Sequence, residues 1–286
     1  MTLSNIKILN PAISARLGRV RYAVFDFDGT LSLLREGWEG VMIPLMLEMI
    51  SPGQPASQAL DQEVRAYVER STGILTIRQM EWLAEAVQRY GLNPHLLSPA
   101  QYKKIYRERL LERIHSRIEN LESGRALADD HMVQGSRAFI SALSSSGVRL
   151  YLASGTDHVD VMHEARVLGI DSYFKGRIYG ALDTANKDGA EDDSQSTSHD
   201  KEKLVRRILT ENDLHGDELA VFGDGPVEIR VAAEAGALAV GVASDEVTRS
   251  GWNPAKIARL EKAGADVLIP DFSLASQLHA WIMAGV

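Results

Sequence analysis

The sequence has no cysteine. A disulfide framework, thiolate zinc sites and a cysteine nucleophile are therefore excluded, and a reducing, cytoplasmic location is the expectation. Long apolar runs are missing as well. Nothing approaches the ~18 uninterrupted apolar residues of a membrane span. The first twenty residues, MTLSNIKILNPAISARLGRV, hold no run of signal-peptide length, so no membrane contact is expected. The eight histidines show no metal-ligand spacing. Positive charge is in short supply, with 31 Lys and Arg against 39 Asp and Glu for a net of −8. An acidic chain repels phosphate backbones, so nucleic acid is not an expected partner.

What is present is the composition of an ordinary globular protein, 45% hydrophobic and 24% charged, and 286 residues suffice for two structural units. Five short apolar runs read as strands, at residues 21–27, 148–153, 219–222, 238–242 and 266–269. Their near-continuous apolar character is that of strands covered on both faces. Helical segments alternate with them at 132–146, 157–168, 226–235, 256–263 and 273–281. Gly147, Gly169, Gly236 and Gly264 stand at the expected helix ends, Pro226 and Pro254 at helix starts, and Asp157 and Ser273 at N-cap positions. The alternation implies βαβ units and a parallel sheet with right-handed crossovers.

Residues 35–131 break this rhythm with amphipathic helices and no strand. Thr76-Ile77-Arg78-Gln79 reads as a capping box ahead of Met80, Leu83, Ala84 and Val87. Tyr102, Tyr106, Leu110, Ile114, Ile118 and Leu121 form one long apolar face. The expected organisation is an α/β core from residues 1–34 and 132–286, interrupted by an all-helical unit over 35–131. Residues 182–200, with six acids and one lysine, read as a mobile surface loop, a lid being the alternative.

In an open parallel sheet, ligands sit beyond the carboxyl ends of the strands, and the polar residues of interest stand there. Asp26 and Asp28 close the first run and, two apart in an extended chain, point the same way. Two crowded carboxylates are costly unless a cation lies between them or one is protonated. Asp224 closes the third run. Asp-Gly is also a common turn pair, but the gathering of such ends points to a hard divalent cation. Mg²⁺ takes one or two carboxylates together with phosphate oxygens and waters. Ser154-Gly155-Thr156 offers a hydroxyl and backbone N–H groups before a helix N-terminus, an anion site by geometry and dipole. Lys201 or Lys203 would add positive charge to the same anion, and either also fits a solvated surface.

Taken in order, Asp26-Phe27-Asp28-Gly29-Thr30, Ser154, a lysine opening an amphipathic helix, and Gly223-Asp224 resemble the four motifs of the haloacid dehalogenase superfamily. The resemblance implies a Rossmann-like parallel sheet, a helical cap inserted after the first motif, and a phosphatase-like activity. It matches Asp26 to the nucleophile that forms an aspartyl-phosphate and Asp28 to the general acid/base. It implies Mg²⁺ held by Asp26, the backbone carbonyl of Asp28, and Asp224. It further implies a phosphoryl group bound by Ser154, Gly155 and Lys201, the last preferred to Lys203 because Leu204, Val205 and Ile208 place the helix's apolar face as the family does. Glu228 stands where the family usually has an aspartate and is assigned to the metal's outer shell. Dehalogenases lack an acid at the position of Asp28, and phosphonate-cleaving members carry a small residue there, so Asp28 favours cleavage of a P–O bond.

Arg35, Glu36, Trp38 and Glu39 follow the first motif at the hinge. Arg35 reads as a surface arginine or as a contact to substrate, and Trp38 as core. Residues 101–120, with six Lys/Arg and three Glu, read as a solvated helix face, the alternative being steering of a phosphorylated substrate. The expected function is Mg²⁺-dependent hydrolysis of a small phosphorylated metabolite, such as a sugar or polyol phosphate. A phosphomutase would use the same residues. A receiver-like phosphoacceptor or a non-catalytic phospho-ligand binder would be the alternative from another class. The insert and the acid at Asp28 disfavour the receiver, and the presence of both Asp26 and Asp28 disfavours the binder.

Overall fold

Apolar runs buried on both sides build the centre of the protein. The computed structural model describes residues 5–181 and 201–284, and the acidic stretch 182–200 lies outside them. Seven strands are described: β1 (Lys7–Ile8), β2 (Tyr22–Asp26), β3 (Arg149–Asp157), β4 (Ile178–Ala181), β5 (Leu219–Gly223), β6 (Leu238–Val242) and β7 (Val267–Ile269). They form one sheet in the order β1-β7-β6-β5-β2-β3-β4. Only the β1–β7 edge pair is antiparallel. The architecture is α/β, as expected, and all five expected strands are present. β1 and β4 are additions. The first is two exposed residues, and the second carries a glycine in a run of four, too little for an apolar pattern to show.

β2 lies between β3 and β5, with Tyr22 in register with both Arg149 and Leu219. From β2 the chain proceeds to β3 and β4 on one side, then returns to fill the other side with β5, β6 and β7. The strand order therefore reverses at β2, which opens a crevice beyond its carboxyl end.

Between β2 and β3 the chain forms α1 (Glu39–Ile50), α2 (Gln58–Arg70), α3 (Thr76–Tyr90), α4 (Pro99–Glu122) and α5 (Ser136–Ser145). The first four enclose their own apolar cluster, which includes Met42, Leu45, Leu60, Leu83, Tyr102 and Leu110. Leu121, in the last turn of α4, packs instead against the sheet's core. The remaining helices are α6 (His158–Val167), α7 (Asp171–Phe174), α8 (Lys201–Glu211), α9 (Pro226–Glu234), α10 (Pro254–Ala263) and α11 (Ala275–Met283). Side chains of β2 alternate between faces. Ala23 and Phe25 join the core under α5, α6 and α11, while Tyr22 and Val24 join the core under α8, α9 and α10. The parity that sends Tyr22 and Val24 to the second face carries Asp26 to the α8 side as well. Among the described residues, no helix is long and apolar enough to cross a membrane.

Several local expectations differ from the structure, each for a physical reason. The helix expected from residue 132 begins at Ser136. Met132 and Val133 are held back by pairing with the segment leaving β2, where the Val133 N–H donates to the Leu31 carbonyl at 3.1 Å. The Thr76 capping box does not form. The Thr76 hydroxyl turns to the Gly155 carbonyl at 3.4 Å and Gln79 donates to Ser71 at 3.1 Å, because the loop before α3 rests on the sheet unit. Asp157 occupies the N-cap position without a side-chain capping bond, its carboxylate being taken by Lys103 of α4. Ser273 caps nothing, since α11 starts at Ala275 and the Ser273 N–H is bound by Asp271.

The basic face of α4 is also more than a solvated surface. Lys103 is buried against Asp157, and Arg107 grips Asp160 of α6 with bonds of 2.7 and 2.6 Å. Arg117 donates to the Leu34 carbonyl at 2.8 Å and to Glu36 at 2.9 Å. These side chains tie the helical insert to the sheet unit.

Candidate active site

Asp26 ends the central strand of the sheet and is buried. Its Oδ1 accepts from Lys201 Nζ at 2.7 Å, and the same ammonium donates to Glu228 at 3.0 Å. Lys201 is the first residue of α8 and is buried, with Leu204, Val205 and Ile208 anchoring that helix to the sheet. Lys203 is exposed. Burial pushes the Asp26 carboxyl well above the usual range; Glu228 and Asp224 push the same way and Lys201 opposes them. For Lys201, burial alone would favour the neutral amine, but Asp26 and Glu228 hold the group above its ordinary value, so the ammonium persists.

Asp28 lies just past the end of β2 and lines the same cleft on the side of β3. Its Oδ2 accepts from the hydroxyls of Ser154 at 3.1 Å and Thr156 at 3.2 Å. Its Oδ1 is buried and accepts no hydrogen bond among the described residues. Arg35 Nε approaches that oxygen to 3.8 Å. The turn after Asp28 needs Gly29. Its φ is +76°, and a Cβ there would lie 2.6 Å from Asp224 Oδ2.

Arg35 is not on the surface. It is buried and grips Glu164 of α6 through Nε at 3.0 Å and Nη2 at 2.5 Å. It lines the cleft, but its fork is already committed to protein carboxylates. Ser154 is present in the cleft with its hydroxyl given to Asp28. Gly155 lies beneath the insert, where a Cβ would meet the Ile74 carbonyl at 2.5 Å. Side chains at 155 are therefore excluded by the approach of the loop that precedes α3.

Asp224, at the end of β5, is buried and meets two cations that sequence reasoning missed. Lys256 Nζ lies 2.9 Å from its Oδ2 and 2.8 Å from Glu246. Arg259 lies 3.1 Å from the same oxygen and donates twice to the Asp224 carbonyl, at 3.0 and 2.9 Å. Burial would raise the Asp224 carboxyl, but Lys256 and Arg259 outweigh it and hold the group below the ordinary value. The available signal was Lys256 and Arg259 three apart on α10, one face of a helix aimed at the crevice.

Carboxylate oxygens of Asp26, Asp224 and Glu228 lie within 4.8 Å of one another, all buried. Such a hard donor set fits a divalent cation of the Mg²⁺ kind. The balance of charge agrees. Six carboxylates line the cleft against four cations, an excess of negative charge that a divalent cation would offset. Glu228 is the least available donor, because its Oε1 accepts from the Gly225 N–H at 2.7 Å and its Oε2 from Lys201.

The cleft, about 270 Å³, is floored by the strand ends and roofed by the insert, with Trp38, Gln79 and Tyr106 contributed from above. That is slightly under the ~300 Å³ at which pockets for drug-sized ligands begin. Asp26, Asp28, Ser154, Gly155, Lys201, Asp224 and Arg35 surround this one space, while Glu228 stands just behind Lys201.

Sheet order, carboxylates at the strand ends and a helical insert after the first of them define an α/β fold of the haloacid dehalogenase kind. The chain belongs to that family: the family model described as haloacid dehalogenase-like hydrolase matches residues 20–236. Solved structures share the fold. A haloacid dehalogenase-like protein from Agrobacterium tumefaciens is 22% identical, with a TM-score of 0.55, covering 93% of this chain and 98% of its own. A predicted phosphoglycolate phosphatase from Haemophilus somnus is 16% identical, TM-score 0.56, covering 91% and 98%. A β-phosphoglucomutase from Clostridium difficile is 13% identical, TM-score 0.54, covering 89% and 92%. No curated protein matches the sequence.

Proposed function

We propose that the protein is a phosphomonoester hydrolase that uses Mg²⁺ and an aspartyl-phosphate to act on a small phosphorylated metabolite. The observation that carries this reading is the pairing of buried Asp26 with Lys201 at 2.7 Å, with Asp28 lining the same cleft. Membership in the hydrolase family, and phosphatases and a mutase among the similar folds, support it.

Asp26 keeps one oxygen nearly free, Oδ2 accepting only a long 3.4 Å bond from Thr30. That oxygen attacks phosphorus, and the bond from phosphorus to the alcohol oxygen breaks. Asp28 gives its proton to the departing alkoxide, then takes one from the water that attacks the aspartyl-phosphate, returning Asp26 and releasing phosphate. The unbonded Oδ1 of Asp28 suits a group that gains and loses a proton in each cycle. Lys201 holds positive charge beside the phosphoryl oxygens. Asp26, the Asp28 carbonyl and Asp224 would hold Mg²⁺, with Glu228 behind them, and the ion would neutralise charge on the phosphoryl group.

The test is phosphate release from a panel of phosphorylated metabolites with Mg²⁺. Release that falls to the blank in excess chelator supports the reading. Conversion of an ester to its isomer without free phosphate would make the enzyme a mutase, and activity undiminished by chelator would remove the metal. Two substitutions sharpen it. Lys201→Ala is expected to lower kcat by about 100-fold or more, the cost typical of removing one transition-state donor, whereas Lys203→Ala stays near wild type. Asp28→Asn is expected to slow alkyl phosphates about 10²- to 10⁴-fold, and p-nitrophenyl phosphate less, because that leaving group departs without a proton. Equal slowing of both esters would argue against the acid role.

A further inference from the structure

Four cations line the cleft, and each is already held by carboxylates. Lys201 is bound to Asp26 and Glu228, Arg35 to Glu164, Lys256 to Asp224 and Glu246, and Arg259 to Asp224. None remains, among the described residues, to receive an anion on the substrate other than the phosphoryl group. The roof differs in character. Gln79 and Tyr106 present neutral polar groups from the insert, and Asn253 does so from the rim. Glu36 is paired with Arg117. Glu39 lines the cleft and forms no ion pair among the described residues.

Glu39 is the first residue of α1, where the insert begins. It is exposed to solvent within the cleft; partial burial pushes its carboxyl above the ordinary value and Asp224 adds to that, while the backbone N–H at its helix start, Arg259 and Lys256 pull the other way. Glu39 is thus a cleft carboxyl with no ion-pair partner of its own among the described residues, in a space lined by six carboxylates against four cations.

We propose that Glu39 selects the leaving group, admitting esters of small neutral or amine-bearing alcohols and rejecting those that carry a second negative charge. The proposal rests on the phosphatase reading and adds to it the class of alcohol. A hydroxyl or ammonium on the leaving group donates to the Glu39 carboxylate, and a hydroxyl finds a further partner in the Tyr106 phenol, which lines the same cleft. A carboxylate or second phosphate meets Glu39 with like charge and no free cation, and such a repulsive element discriminates as effectively as an attractive one.

Three esters of similar size test this with the full chain and Mg²⁺: glycerol 1-phosphate, phosphoethanolamine and 3-phosphoglycerate. The wild type is expected to favour glycerol 1-phosphate over 3-phosphoglycerate by at least about tenfold in kcat/KM. Glu39→Gln is expected to shrink that ratio by about tenfold, chiefly because the anionic ester then binds better and its KM falls. An anionic ester used as well as the neutral one by the wild type, or a ratio unmoved in Glu39→Gln, overturns the proposal. Calorimetric titration of the Asp26→Asn protein with the same esters and Mg²⁺ separates the two claims. Binding in the expected order without wild-type turnover of any ester supports the role of Glu39 and overturns the phosphatase reading. Absence of binding together with absence of turnover, or equal binding of the anionic ester, overturns the selection by Glu39.

Discussion

Asp26→Asn is expected to reduce phosphate release by at least about 10⁴-fold, the scale on which removal of a covalent nucleophile is felt. The amide is isosteric with the carboxyl, so the end of β2 keeps its shape, and the ammonium of Lys201 keeps Glu228 at 3.0 Å. Burial already works against ionised Asp26, and Glu228 and Asp224 repel it. Loss of that charge trades the Lys201 contact against relief of repulsion. A change in Tm of no more than about 5 °C is expected. Measured together, rate and Tm separate chemistry from folding. Near-normal turnover by the amide variant would remove the aspartyl-phosphate from the account.

Arg35→Met is expected to lower Tm by roughly 10 °C. Glu164 is 1% exposed and receives both Nε and Nη2 of Arg35, so the substitution strands a carboxylate in the interior. Breaking a buried pair from one side costs about 3–5 kcal/mol, and a domain of this size loses ~2–4 °C per kcal/mol. The double variant Arg35→Met with Glu164→Leu removes both charges and is expected to regain most of the loss, since an apolar pair of similar volume can replace a buried ion pair at little cost. Thermal unfolding of the two single variants and the double variant gives the coupling directly. If the double variant melted as low as Arg35→Met, the pair would not be the source of the effect. Arg35 also lies 3.8 Å from Asp28, so the single variant is expected to lose activity alongside stability.

The two residues differ in how far a sequence reveals them. Asp26 was legible because its strand is a short apolar run, its neighbours are Asp28 and Gly29, and a parallel sheet places ligands at that end. Lys201 was narrowed from two lysines by the apolar positions that follow it, and the structure buries Lys201 and exposes Lys203. The central strands, the α/β class and the helical insert were legible for the same reason, since each imprints a period on a continuous stretch. Arg35 was not, because what buries it is Glu164, 129 residues further on. Lys256 and Arg259 were missed likewise. Their partners Asp224 and Glu246 come from other elements, and a lysine and an arginine spaced by three look the same on a solvated helix. The basic face of α4 was misread because its partners Asp157 and Asp160 lie at the start of α6. Pairing of charges between distant segments leaves no periodic trace in a chain.

The segments that lead into and out of the insert run side by side, the Leu33 N–H donating to the His131 carbonyl at 2.9 Å and the Val133 N–H to the Leu31 carbonyl at 3.1 Å. Two connectors stitched together behave as one ribbon, which flexes about its flat axis and resists sliding. Such a joint fixes the place at which the roof leaves and rejoins the sheet unit, and so keeps Glu39 beside the same carboxylates. The same adjacency means that helices of a different length or number could be spliced between residues 33 and 131 with the sheet's register undisturbed.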